Sequence, residues 1–284
     1  MEIVHIARKE ELQRKIRRMR EGGISQLQVV ADFDRTLTKA FVSGKKFLSS
    51  YALIREGKYL TPDYPTKAQA LFEEYHPYEI SSTISVAERN KKMVEWWSKH
   101  FKLMKECGMS KEVIRDIVLK GKIQFREGVL EFLQELSEKN IPILILSAGM
   151  GDIIQELLSV LGKGMSNIHL ISNFYNFDEN GRVVGMKNNI FIHPFNKNEL
   201  EMKRTSHYFK MVQRKNVLLL GDSLGDLSMT EGIEPEVIIR IGFLNDNKEQ
   251  LLEKYMQEFE VVITDDGDME YVNEMVEEII SAKD

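Results

Sequence analysis

Cysteine is nearly absent from this 284-residue chain: Cys107 stands alone, which excludes an intramolecular disulfide and leaves no cysteine-rich zinc site. A lone thiol in a helical stretch reads as packing rather than as a nucleophile. No run of about 18 apolar residues occurs, which excludes a membrane-spanning helix. Charge of one sign is lacking too. The 39 basic and 44 acidic residues leave a formal net charge of −5, which argues against a nucleic-acid polymer as the main partner. The N-terminal segment carries Glu2, Glu10 and Glu11 and no apolar signal core, so a cytoplasmic protein without a secretory or transit segment is expected. Internal repeats and low-complexity tracts are missing as well. What is present is ordinary for a protein with a substantial core, 43% hydrophobic and 29% charged residues.

Three apolar runs carry most of the information. Leu27 to Ala31 is too short for a helix and fits a buried strand, and it delivers Asp32 and Asp34 onto a turn that also holds Thr36 and Thr38. In an extended segment, residues two apart face the same side. Two like charges held that close need a compensating partner, for which a hard cation such as Mg2+ is the usual choice. Asn216 to Gly221 repeats the construction, ending in Asp222 and Asp226 on a glycine-containing turn before a helix start. Ile141 to Leu146 ends in Ser147, Ala148 and Gly149 ahead of a helix from Asp152, and such a turn offers backbone N–H groups to an anion. Lys197, in His193-Pro194-Phe195-Asn196-Lys197, adds a cation. Carboxylates, a hydroxyl, a lysine and a helix N-terminus are the parts that bind Mg2+ and a phosphate and transfer a phosphoryl group.

In this order, Asp-x-Asp-x-Thr, the strand-terminal Ser, the later Lys and Gly-Asp-Ser-x-Gly-Asp resemble the four motifs of the haloacid dehalogenase-like phosphohydrolases. Leu146 to Ile154, Ser172-Asn173-Phe174, Phe177 to Gly181, Phe195-Asn196-Lys197 and Ile241 to Asp246 narrow the resemblance to the cytosolic 5′-nucleotidase type III family. The resemblance implies that Asp32 is the nucleophile forming an aspartyl phosphate, and that Asp34 protonates the leaving oxygen and later deprotonates water. It further implies that Asp32, the Asp34 carbonyl and Asp222 hold Mg2+ with Asp226 in support, that Ser147 and the Ala148 amide hold phosphate, and that Lys197 neutralises the transferred group.

More than a hundred residues separate the first carboxylates from Ser147, too many for a loop. Helical patterning over Thr66–Tyr75, Val86–Cys107 and Lys111–Val118 predicts a helical cap over the carboxyl ends of the strands. The expected domains are a haloacid dehalogenase-like α/β core over 1–45 and 122–284 and a cap over 46–121. A hairpin is expected around Asn180-Gly181. The strands near Val237 and Val261, with helices from Lys248 and Met269, complete a doubly wound, mostly parallel α/β core. Arg8 to Arg20, with Ile6, Leu12, Ile16 and Met19 near helical spacing, reads as an amphipathic helix with a solvated face.

Substrate choice falls to the cap. At the position matching Glu79 the family binds the base with a glutamate, and a carboxylate accepts well from ring N–H and amino groups. Trp96 and Trp97 are adjacent, so one packs inward while the other faces the cleft or solvent. The resemblance assigns base contacts to Trp97, Tyr51 and the position of His100. Trp97 with Tyr51 looks like the branch acting on 7-methylguanosine monophosphate, whose cationic base would stack on an indole; the other branch takes CMP and UMP. His100 stands where relatives carry a small residue and leaves base preference open. A monomer acting on a small nucleoside monophosphate is expected. The alternatives are a related phosphatase or phosphotransferase working on another small phosphomonoester, and a nucleotide-binding protein without chemistry.

Overall fold

The computed structural model describes residues 3–46, 49–81, 83–120, 123–160, 166–187, 191–197 and 213–281. Glu2 and the expected core boundary at 121–122 lie outside them. Seven strands form the main sheet: β1 (Val4–Ile6), β2 (Leu27–Ala31), β5 (Ile143–Met150), β6 (Ile168–Asn173), β9 (Asn216–Gly221), β10 (Val237–Leu244) and β11 (Val261–Thr264). Their order is β1-β11-β10-β9-β2-β5-β6. Every pairing is parallel except that of β1 with β11. Strand order reverses at β2, which lies between β9 and β5, so the carboxyl ends of these three neighbours open at the crevice where such sheets bind ligands.

The central strands are apolar along their whole length because both faces are covered. Leu27, Val29 and Ala31 of β2, with Leu218 and Leu220 of β9, face one core. Against it pack α1 (Lys9–Gly22), α6 (Val129–Glu138) and α9 (Glu270–Ile280), through Leu12, Ile16 and Met19, through Phe132 and Leu136, and through Val272 and Val276. Val30, Val217 and Leu219 point to the opposite face, among Leu144, Ile192 and Met229. This is the doubly wound α/β architecture expected. Ile6, which the sequence reading placed at helical spacing with α1, belongs instead to β1 and pairs with Val261; a three-residue edge strand is too short to show a period of two.

Four helices follow β2 and the small hairpin of β3 (Phe41–Val42) and β4 (Lys45–Lys46). They are α2 (Ser50–Glu56), α3 (Tyr64–Ile80), α4 (Val86–Glu106) and α5 (Lys111–Lys120). α3 starts beside Pro65, whose missing N–H costs nothing in a first turn. α4 starts where the Ser85 hydroxyl accepts from the Glu88 N–H at 3.2 Å. α3 and α4 enclose Tyr75, Met93 and Trp96. α2, α3, α4 and α5 bury Ile54, Tyr64, Met104 and Ile114 in a cluster shared with Met150 and Ile153. Cys107 is buried there just past α4, a packed residue as its isolation suggested. The predicted hairpin forms from β7 (Tyr175–Phe177) and β8 (Val183–Met186). After Gly221 the expected helix is a 3-10 turn over Leu224–Thr230. Among the described residues no helix is long and apolar enough to cross a membrane.

Candidate active site

β2 ends at Ala31, yet the alternation of its side chains carries on for three more residues: Phe33 packs into the core while Asp32 and Asp34 line a cavity at the strand ends. The turn beyond is held from below. Arg35 adopts a positive φ of 66°, and its N–H donates to the Thr38 hydroxyl at 2.9 Å. Thr36 donates its hydroxyl to Asp32 Oδ2 at 3.3 Å.

Lys197 is 7% exposed, so it is no surface lysine. Its Nζ donates to Asp32 Oδ1 and, at 3.1 Å, to Asp226 Oδ1. The second oxygen of Asp226 accepts from the Ser223 N–H at 2.9 Å and the Ser223 hydroxyl at 2.8 Å, a capping box that aims the first oxygen inward. One carboxylate oxygen from each of Asp32, Asp222 and Asp226 falls within 4.8 Å of the others. Arg35 approaches Asp222 at 3.7 Å while pairing more closely with Asp246 at 2.5 Å.

These carboxylates are crowded and dry. Burial raises Asp32 well above the usual range, and Asp226 and Asp222 add to it against the pull of Lys197. Burial, then Asp226, raises Asp222 to about 7, and burial raises Asp34 to about 6 against Lys197. Burial opposes the charge on Lys197, but Asp226 and Asp32 outweigh it, so the ammonium is held. The cluster therefore brings together more acidic groups than one lysine can keep ionised. Hard oxygen donors at this spacing are the donor set that Mg2+ takes.

β5 supplies the opposing wall. Its pairing with β6 is irregular between Leu146 and Met150, where Ser147, Ala148 and Gly149 border the cavity. The Ser147 hydroxyl oxygen accepts from the Gly149 N–H at 3.0 Å, leaving its own hydrogen available. A Cβ on Gly149 would stand 2.8 Å from Ser50 Oγ and 3.2 Å from Asp34 Oδ2; only glycine allows that approach. The Ala148 carbonyl accepts from Trp97 Nε1 at 3.1 Å and Asn173 Nδ2 at 2.9 Å. Asn173 also bonds Ile192 in both directions, tying the Lys197 segment to β5. Sequence reasoning quoted Asn173 without giving it a task, since an amide that ties together distant backbone groups has no linear signature.

The cavity, about 590 Å³, runs from the carboxylates to the helices. Tyr51, Glu79, Trp96, Trp97 and His100 all line it. Trp96 is the inward member of its pair, stacked on Tyr75 at 6.1 Å. Trp97 meets Tyr51 edge-on at 6.0 Å. His100 sits between Tyr51 and Tyr64, its Nε2 at 2.8 Å from the Tyr64 hydroxyl; burial, then Arg55, lowers it to about 4. Glu79 is not a solvated helix end: burial raises it to about 7. Every residue singled out from the sequence borders this one space or its carboxylate floor. Arg55, Phe72 and His76 line it as well and were not anticipated, because α2 is short and α3 has almost no amphipathic periodicity to read.

Residues 35–280 match the pyrimidine 5′-nucleotidase (UMPH-1) family. The 7-methylguanosine phosphate-specific 5′-nucleotidase A of Xenopus laevis is 36% identical over 275 residues, 96% of this chain and 94% of that one. The 7-methylguanosine phosphate-specific 5′-nucleotidase of Homo sapiens is 36% identical over 92% of this chain and 87% of its own. The crystal structure of cytosolic 5′-nucleotidase IIIB bound to cytidine superposes with a TM-score of 0.84 at 27% identity, covering 98% of this chain and 94% of that one. An apo phosphoserine phosphatase, at TM-score 0.50 and 14% identity, shares the fold alone. The sheet order, the carboxylate cluster at the strand switch and these matches lead to one statement: the chain belongs to the pyrimidine 5′-nucleotidase (UMPH-1) family.

Proposed function

We propose that this enzyme hydrolyses nucleoside 5′-monophosphates, of a pyrimidine such as CMP or UMP or of 7-methylguanine, to nucleoside and phosphate through an aspartyl phosphate on Asp32. The observation that carries this reading is one cavity with two chemically different ends. The carboxylates and Lys197 lie at one end, and Glu79 among Trp96, Trp97 and Tyr51 lies at the other. An aliphatic phosphomonoester has no use for the second end, which disfavours the alternative of another small phosphate ester.

In this reading an Asp32 oxygen attacks phosphorus as the bond to the 5′ oxygen breaks, and Asp34 gives that oxygen its proton. Water then attacks the aspartyl phosphate and passes a proton to Asp34, which releases phosphate and restores both carboxyls. A carboxyl raised to about 6 by burial is suited to exchanging a proton near neutrality. Ser147 and the Ala148 N–H would orient phosphate oxygens, and Lys197, charged and buried against Asp32, would balance charge as it transfers. Asp32, Asp222 and the Asp34 carbonyl, with Asp226 in support, would hold Mg2+, which when bound screens the repulsion between carboxylate and phosphate. The helices of 46–121 act as the cap that excludes water and reads the base, and 1–45 with 122–284 as the catalytic core. A cytoplasmic location belongs to the same reading, supported by the cytosolic relative, and so does a monomeric state.

Phosphate release from CMP, UMP, GMP, 7-methyl-GMP and phosphoserine, with Mg2+ and with EDTA, tests it. Turnover of nucleotides that requires Mg2+ is expected, and D32N should lower kcat by at least about a thousandfold with the fold intact. Turnover of phosphoserine alone, or near-normal activity of D32N, would sink the reading.

A further inference from the structure

The base end of the cavity carries a fixed positive charge. Arg55, in the last turn of α2, lines the same space as Glu79, Trp97 and His100. Its guanidinium carbon lies 4.4 Å from the centre of the Phe72 ring. Phe72 in turn stacks on His76 at 4.5 Å and tilts against Trp96 at 6.0 Å, so the cation is built into the aromatic wall. The Arg55 side chain is 15% exposed, and its ion pairing among the described residues is with Glu56, at 3.9 Å and 62% exposed. Arg55 also borders an outer cleft with Gln69 and Glu73, where Glu73 already accepts from Gln69 at 2.9 Å.

The charge is felt inside. After burial, Arg55 is the next cause lowering the proton affinity of both His76 and His100. Glu79, whose carboxyl burial raises, makes no ion pair with Arg55 among the described residues.

We infer that Arg55 sets base choice, disfavouring a base that carries a positive charge, such as 7-methylguanine, and favouring an uncharged base whose carbonyl oxygens accept from a guanidinium, such as uracil or cytosine. The inference rests on the nucleotidase reading above. Stacking a cation rather than a neutral ring on an indole gains roughly twofold to thirtyfold in affinity. A like charge within several Å at an effective dielectric of about 20 costs tenfold or more. The two Trp residues would thus attract a methylated guanine, and Arg55 cancels that attraction.

The test is kcat/KM for CMP, UMP, GMP and 7-methyl-GMP with saturating Mg2+, for the wild-type enzyme, R55Q and R55K. The wild type should prefer CMP and UMP to 7-methyl-GMP. R55Q should raise the ratio of 7-methyl-GMP to CMP by about tenfold, and R55K, which keeps the charge, should leave it near the wild-type value. Competitive inhibition of the wild type by cytidine and by 7-methylguanosine gives the same comparison without a variant, with cytidine expected to bind more tightly. A wild-type preference for 7-methyl-GMP, tighter binding of 7-methylguanosine, or an unchanged ratio in R55Q would overturn the inference and leave the nucleotidase standing. No turnover of any of the four nucleotides would overturn both.

Discussion

Glu79 shows how much a single residue's environment adds to its identity. As a sequence position it is a carboxylate near the end of α3, with a solvated helix terminus as the ordinary fate of such a residue; in the cavity its carboxyl is raised to about 7 by burial alone. An acid whose folded pKa lies above its unfolded value of about 4.5 binds more protons when folded. Its stabilising effect is therefore complete below the unfolded value and is lost as pH rises through about 7. E79Q, which cannot ionise, should be more stable than the wild type at pH 8 by about 1–2 kcal/mol, and the difference should shrink towards pH 5. Urea midpoints at the two pH values measure this, and an equal offset at both would mean the carboxyl is solvated. Lys197 makes the same point from the other direction: linear context marked it as a cation worth attention, but its salt bridges to Asp32 and Asp226 exist only once the segment reaches β2.

At the scale of elements, the turn after β2 depends on a residue far along the chain. Arg126 is 1% exposed and pairs with Asp266 at 3.1 Å. It donates to the carbonyls of Thr36 at 2.9 Å, Arg35 at 2.7 Å and Gly267 at 2.5 Å, and to Asn245 Oδ1 at 3.1 Å. Asp266 in turn accepts from the N–H groups of Ala40 and Phe41. One guanidinium thus clamps the turn that presents Asp34 against the loop after β11. R126M would strip the half-buried Asp266 of its cationic partner, leaving it the Ala40 and Phe41 N–H groups, and would take a charged donor from the carbonyls of Thr36, Arg35 and Gly267. It should cost about 3–5 kcal/mol in urea unfolding, and a loss below about 1 kcal/mol would mean the turn holds itself. The sequence reading gave Arg126 no task, because long-range donors leave no periodic trace. It did find β2, β9 and α4, whose apolar runs or 3.6-residue period are local properties. It missed α2, seven residues long, too short to show a period.

For the whole molecule, three parallel neighbours in the order β9-β2-β5 bring together carboxylates separated by nearly two hundred residues of chain. If that cluster takes Mg2+, the metal binds the folded state and not the unfolded one. At about 100 times its dissociation constant it should then add about 2.7 kcal/mol of apparent stability. A thermal melt with and without Mg2+ reads this without any substrate, and D222N and D226N should each lose the shift. A wild-type melt that ignores Mg2+ would remove the metal from the proposed chemistry.

The linear chain by itself determined which chemical groups stand at the strand ends. Asp32, Asp34, Asp222 and Asp226 follow apolar runs that can only be buried strands, and residue types at strand ends are local facts that need no fold to be read. It also determined that helices cover those strand ends, since the hundred residues between the motifs carry helical periodicity. Tertiary structure alone decided which side chains meet. Lys197 sits between two aspartates, Gly149 is pressed against Asp34, and Arg55 lays its guanidinium on Phe72 where both line the cavity. Such contacts depend on how the helices settle against one another. That is set by side-chain packing across the whole interface, not by any spacing along the chain.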